Sequence, residues 1–384
     1  MSNNSLPLDG IKIIDFSQVM LGPCATQMLA DFGADVIKIE RPKVGELSRN
    51  VFGGNSELSR NNPVFFSLNR NKRSMTLDTR TDAAKKVIYE LAKTADVVVS
   101  NFRPGVMSRM GFSYETLKAI NPRIIFASGT GFGPTGPNAH KGGQDVLAQA
   151  MSGVMEQRAD ASIPRSIYPT ALCDYAAGMH LVQGVMAAII ARFKSGVGQR
   201  VDVSLYDSML AMQMQEAANL MATNATLNWA ALPLSGVFDT TDGAIVIVGA
   251  FKQNPLQDIC LAMEHPEDLS IKYPLLEDQT KVKEYLHGEF RSYFGKMTTK
   301  QAIAKLEKQD LLCAPVRSLG EALENEQTAV NEMIATIKHP LHGDIQVIAS
   351  PVHMSDAPFT LRHAPPTLGQ HNDEILNELG MSLD

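Results

Sequence analysis

The chain has 384 residues, 44% of them hydrophobic and 20% charged, with a formal net charge of −6. That length allows a large core and two domains, and the composition excludes a disordered or fibrous protein. The acidic balance argues against general nucleic-acid binding, which needs a basic surface to release counterions, but leaves room for a local basic pocket.

The four cysteines, Cys24, Cys173, Cys260 and Cys313, are dispersed and form no CxxC pair. They read as reduced thiols rather than as a disulfide framework. The segment "MSNNSLPLDG" has no basic stretch followed by an apolar one, and the apolar run Leu181–Ile190 is shorter than a bilayer span. The expectation is a soluble cytoplasmic enzyme.

In chain order, "IKIIDF" (Ile11–Phe16) reads as a buried strand. "PCATQMLADFG" follows as a helix, with Pro23 at its start and Gly33 as its stop. "ADVIKIE" is the next strand, and Thr81 and Asp82 open an amphipathic helix through Lys93. "ADVVVS" is a strand, "SYETLKAINP" a short helix with an acidic first turn, and "RIIFAS" another strand. Such alternation predicts a mostly parallel α/β sheet covered by helices. A long helix is expected from about Tyr175 to Lys194, then a strand and a Met-rich helix within "RVDVSLYDSMLAMQMQEAANLMA". The methionines read as adaptable core filler. "SGVFDTTDGAIVIVG" alternates around Asp242 and Gly243 as a hairpin. Charged helical segments follow up to "LLCAPVRSLGEAL", and the tail is a loop with a short C-terminal helix.

Three motifs invite over-reading. "SGTGFGPTG" (Ser128–Gly136) imitates a dinucleotide fingerprint, but Pro134 and Pro137 deny it the helix whose amides would hold a pyrophosphate. His339 and His342 lack the glutamate and the uninterrupted helix of a zinc motif, so no metal is expected. Cys173 has no visible cation to lower its pKa and reads as a passive small residue.

"ALCDYAAGMH" places a lone carboxylate, Asp174, at the head of the long helix beside alanines and Gly178. Residue chemistry alone allows a helix N-cap or a nucleophile with space around it, and favours the cap. A helix N-terminus would keep such a carboxylate ionised.

"LDGIKIIDFSQVMLGPCATQMLADFGADVIKIERP", "NRNKRSMTLD", "NFRPGVMSRMGF", "ALCDYAAGMH" and "GVGQRVDVSLYDSM" occur in that order. Together they closely resemble the family III CoA-transferases, and "LLCAPVRSLGEAL" and "LGQHNDEILNELG" extend the likeness almost to the C-terminus. The resemblance implies transfer of coenzyme A from an acyl-CoA donor to a carboxylic acid, with Asp174 on the catalytic aspartate. It also implies an aspartyl-CoA thioester intermediate, no tightly bound cofactor, no metal and no ATP.

By the same resemblance, Arg41, Asn101, Phe102, Arg109 and the segment from Leu77 to Arg80 match coenzyme A contacts. Lys141 lies near a family lysine position. Met20, Gln144, Asp145 and Gly178 fall in the substrate or oxyanion region, with a structural cap equally open for Asp145, and Gly178 would leave room for the thioester. Met20 stands where the formyl-CoA enzyme carries a glutamine, and that enzyme's glycine-rich covering loop has no clear counterpart. Alpha-methylacyl-CoA racemases share the superfamily and use an Asp with a His. Gln144 occupies the histidine position and cannot titrate near neutral pH, which favours the transferase.

The implied fold is an open, mostly parallel Rossmann-like sheet with helices on both faces and a smaller inserted α+β domain. The implied domain bounds are 1–222, 223–319 and 320–384, within an interlocked homodimer. Nucleic acid and membrane are not expected partners.

Overall fold

The computed structural model describes residues 5–51, 56–160 and 162–382. Contacts divide the chain into two units. One comprises Met1–Val154, Ile167–Met214 and Glu326–Asp384, and the other Met155–Ser166 and Gln215–Asn325. The second unit thus begins at Gln215 rather than at 223 and ends at Asn325 rather than at 319. It also gathers a short upstream segment, Met155–Ser166, that no composition shift marks.

The first unit is built on six strands: β1 (Lys12–Asp15), β2 (Asp35–Glu40), β3 (Lys72–Thr76), β4 (Val97–Ser100), β5 (Ile125–Thr130) and β6 (Arg200–Ser204). Their order is β3-β2-β1-β4-β5-β6 and every pairing is parallel. Continuous apolar runs such as Val97-Val98-Val99 suit such a sheet, because both of its faces are covered. Successive side chains alternate in face, so Ile13 and Ile14 enter different cores.

The labelled helices of this unit are α1 (Leu21–Asp31), α2 (Asp82–Thr94), α3 (Tyr114–Ile120), α4 (Asp145–Met151), α5 (Leu172–Ser195) and α6 (Asn372–Leu379). On one face, α1 and α5 pack over Ile13, Val36, Val97 and Ile125. On the other, α2, α3 and α6 pack over Ile14, Ile37, Val98 and Phe126. Thr81 caps α2 by accepting the Ala84 N–H, as the sequence anticipates.

Every residue of α1 is buried. Its polar side chains are matched: Thr26 Oγ1 donates to Asp15 Oδ2 at 2.7 Å, and Asp31 pairs with Arg70 at 2.6 Å. The helix α5 is longer than expected and, by length and composition, apolar enough to cross a membrane. Cys173, Ala177, Leu181, Val185 and Ile189 recur at four-residue spacing and face the core, which accounts for its apolarity.

The second unit holds the predicted hairpin, Ser235–Asp239 with Ala244–Val248, turning through Asp242 and Gly243. Leu312–Pro315 joins it as a third antiparallel strand, where the sequence suggested the end of a helical stretch. Its core gathers Phe238, Phe290 and Phe294. In the first unit a further hairpin, Ile334–His339 with Gly343–Ile348, has no counterpart in the sequence expectations.

Candidate active site

In this strand order β1 and β4 are neighbours, but their chains leave in opposite directions. After β1 the chain enters α1 on one face; after β4 it enters the Val106–Met110 helix, whose Met107 lies in the other core. The divergence opens a crevice at the carboxyl ends of the strands, where open α/β sheets hold ligands. A cavity of about 580 Å³ lies there. Its wall comes from Gln18–Leu21 after β1, Arg41 after β2, Asn101–Pro104 after β4, Gly129–Gly131 from β5 and its exit, Lys141–Gln144 before α4, and Asp174.

Asp174 stands in the first turn of α5, and the N-cap position is Ala171, whose side chain cannot accept a hydrogen bond. The cap comes from elsewhere in the chain. Asp145 Oδ1 accepts the backbone N–H of Cys173 at 2.7 Å and that of Asp174 at 3.0 Å. Gln149 Nε2 donates to the other oxygen of Asp145 at 2.6 Å. Asp145 is therefore a buried capping carboxylate, and the Asp174 carboxylate is released from that task.

The Leu21 backbone N–H, the first amide of α1, acts on the Asp174 carboxylate in the sense that favours its charge. Burial and then the neighbouring Asp145 charge push the Asp174 pKa up to about 6, against the lowering effect of that amide. Desolvation of the partly buried carboxylate therefore outweighs the helix amides, yet a pKa of about 6 leaves Asp174 largely ionised at neutral pH. Burial with the charges of Asp145 and Asp174 pushes the Cys173 thiol to about 12, so it stays protonated.

Gly178 is also corrected. A Cβ there would lie 3.0 Å from the Leu21 carbonyl oxygen and 3.4 Å from Cys24 Cβ. The glycine gives room to helix α1 rather than to a thioester, and Ala176 and Ala177 are likewise buried.

Of the other expected residues, Met20, Arg41, Asn101, Phe102, Lys141 and Gln144 line the cavity with Asp174. Leu77 does not; it is buried in the sheet core with Met75 and Val87. The Arg80 side chain is 88% exposed and pairs with Asp78 at 2.8 Å, away from the cavity wall. Arg109 is exposed on the Val106–Met110 helix and lies outside the wall.

Sequence reasoning missed Arg103, which lines this cavity and an adjoining one of about 440 Å³. Its guanidinium rests on Gly142, where a Cβ would meet Nη2 at 2.6 Å. Its place beside Asn101 and Phe102 in the "NFRPG" loop was the available signal. Asn101 grips the turn after β1: its Nδ2 donates to the Gln18 carbonyl at 2.7 Å, and its Oδ1 accepts the Gln18 N–H at 2.8 Å.

The loop after β5 starts no helix, in keeping with the rejection of a dinucleotide fingerprint. Its base is a backbone crossing, since a Cβ on Gly131 would lie 2.4 Å from Gly143 Cα. That contact sets the Lys141–Gln144 segment against the cavity. Among the described residues, no three His, Cys, Asp or Glu side chains are grouped to hold a metal ion.

The family model described as CoA-transferase family III matches residues 8–372. The chain is 32% identical over 379 residues to succinyl-CoA:glutarate CoA-transferase of Mus musculus, covering 97% of this chain and 86% of that protein. It is 33% identical over 402 residues to formyl-CoA:oxalate CoA-transferase of Streptomyces coelicolor, covering 97% and 95%. Among solved structures, a CAIB/BAIF family protein from Brucella suis superposes with a TM-score of 0.85 at 28% identity, covering 98% of this chain and 100% of that one. An orthorhombic-form structure of a Mycobacterium tuberculosis protein gives a TM-score of 0.85 at 30% identity, covering 97% and 100%.

Proposed function

This chain belongs to CoA-transferase family III and is an acyl-CoA:carboxylate CoA-transferase; from that premise we propose that Asp174 is its covalent nucleophile. The observation that carries this reading is the carboxylate of Asp174, relieved of capping by Asp145. It faces a cavity whose wall includes Arg41, Arg103 and Lys141. Those cations suit the phosphates of coenzyme A on an otherwise acidic protein.

An Asp174 oxygen attacks the donor thioester carbonyl, and the carbon–sulfur bond breaks to give a mixed anhydride and CoA thiolate. The thiolate then attacks the aspartyl carbonyl and expels the donor acid, leaving an aspartyl-CoA thioester. An acceptor carboxylate attacks that thioester, forming a second anhydride, and the returning thiolate takes the acyl group and frees Asp174. No proton or electron is gained or lost overall. The Leu21 N–H, whose effect on Asp174 favours negative charge there, would stabilise charge developing on the aspartyl oxygen. We infer a small to medium acid as acceptor, with dicarboxylates first in line because the named relatives act on glutarate and oxalate.

Incubation with acyl-CoA alone, followed by hydroxylamine, should yield an aspartyl hydroxamate at Asp174, and Asp174→Ala should abolish it while still binding coenzyme A. Racemisation is the weaker reading. Gln144 lines the cavity where racemases place a histidine, and an amide offers no second titrating base. Solvent deuterium entering the alpha carbon without an acceptor acid would reverse that ranking.

We also propose a homodimer. Phe193 is 75% and Met221 80% exposed, and the helix Met214–Thr223 has no buried residue. A monomeric mass by light scattering at micromolar concentration would overturn it.

A further inference from the structure

Val19, in the turn between β1 and α1, has a φ of 67°. This is left-handed backbone, which a β-branched residue adopts only when its surroundings force it. The turn lines the cavity immediately before Met20 and Leu21. Two side chains from distant segments hold it. Asn101 grips Gln18 through two hydrogen bonds, and Glu46 Oε2 accepts the N–H of Val19 itself at 2.8 Å.

Glu46 is 2% exposed and belongs to the segment after β2. Ser48 Oγ donates to its second oxygen, and its own N–H donates to Glu40 Oε2 at 3.1 Å. Two lysines, Lys38 and Lys72, are buried as well. Lys72 interacts favourably with Glu46, and Lys38 Nζ donates to the Ser17 carbonyl at 2.9 Å. Thus a buried carboxylate outside the cavity wall anchors the strained Val19 amide and the Ser48 hydroxyl.

We propose that Glu46 is a positioning residue for the transfer reaction: by holding Val19 in its left-handed conformation, it fixes the Met20–Leu21 start of α1 beside Asp174 in the cavity wall. The inference rests on Asp174 acting as nucleophile. Without that anchor the turn relaxes toward an ordinary β-branched conformation, and the start of α1 swings from Asp174.

The test follows hydroxamate formation at Asp174 with acyl-CoA in wild type, Glu46→Ala, Glu46→Gln and the double variant Val19→Gly/Glu46→Ala. Glu46→Ala should slow adduct formation by about tenfold or more, the scale of one released backbone strain, with coenzyme A affinity little changed. Glu46→Gln should retain most of the rate, because its amide oxygen still accepts from Val19. The double variant should regain much of the loss, because glycine holds φ near 67° unaided. A wild-type rate in Glu46→Ala, or no recovery in a double variant with native near-UV circular dichroism, overturns the proposal. Should Glu46→Ala fail to fold, the other two variants decide it: a tenfold or greater loss in Glu46→Gln, or in a folded double variant, overturns the proposal. Absence of an adduct in wild type would instead overturn the nucleophile assignment, so the two failures are distinguishable.

Discussion

The N–H of Asp174 is held at 3.0 Å by the carboxylate of Asp145, which lies in another helix and also caps Cys173. One acid thus does the structural work at the head of α5 while the other faces the cavity. The two charges also repel, and that repulsion contributes to lifting Asp174.

That lift has a stability consequence. With a native pKa of about 6 against an ordinary 3.8, the folded state favours the protonated form of Asp174. Its ionisation therefore destabilises the fold progressively as pH rises through that window, by on the order of 3 kcal/mol once complete. Asp174→Asn should unfold at higher denaturant concentration than wild type at pH 8, with the gain fading below pH 4. Its transfer rate should fall by about a thousandfold or more.

The same group predicts the acid limb of the rate profile. A nucleophile must be ionised, so kcat/KM should fall as pH drops through about 6. Asp145→Asn removes the neighbouring charge and should move that limb toward lower pH. Asp145→Ala, which strands two amides, should cost about 1–2 kcal/mol by urea titration.

Gly143→Ala places a Cβ 2.3 Å from Gly131 Cα, backbone against backbone. No side-chain rotation relieves that, so the Lys141–Gln144 segment must move. The expected result is about a tenfold rise in KM for acyl-CoA with the fold retained, read from initial rates and a thermal melt.

Gly178→Ala is a milder intrusion, with its Cβ 3.0 Å from the Leu21 carbonyl oxygen. It should destabilise the protein by about 1–3 kcal/mol and lower kcat rather than raise KM, because it shifts Leu21, which lines the cavity with Asp174.

What the sequence disclosed follows from what is local. The β1 run, the Thr81 cap and the turn at Asp242-Gly243 depend on neighbours in the chain, and the structure shows them close to where they were expected. Asp174 stood out because a lone acid headed an apolar helix. Its freedom from capping was not legible, since the partner lies 29 residues upstream. Gly178 misled for a related reason: a small residue makes room equally for a ligand or for a crossing helix, and only the path of α1 decides. Leu77 and Arg80 came from a motif, but position along a strand end does not state which side chain turns inward. The structure sends one into the core and the other to solvent.

The complete enclosure of α1 divides the cavity into a fixed wall and an adjustable one. Any alteration in α1 disturbs the interior on all sides, so this wall offers little room for tuning. The facing side is made by loop segments, 101–104, 129–131 and 141–144, where side chains outside the Gly131–Gly143 crossing have more freedom to change. Those loop side chains could change while α1 and the head of α5 stay as they are.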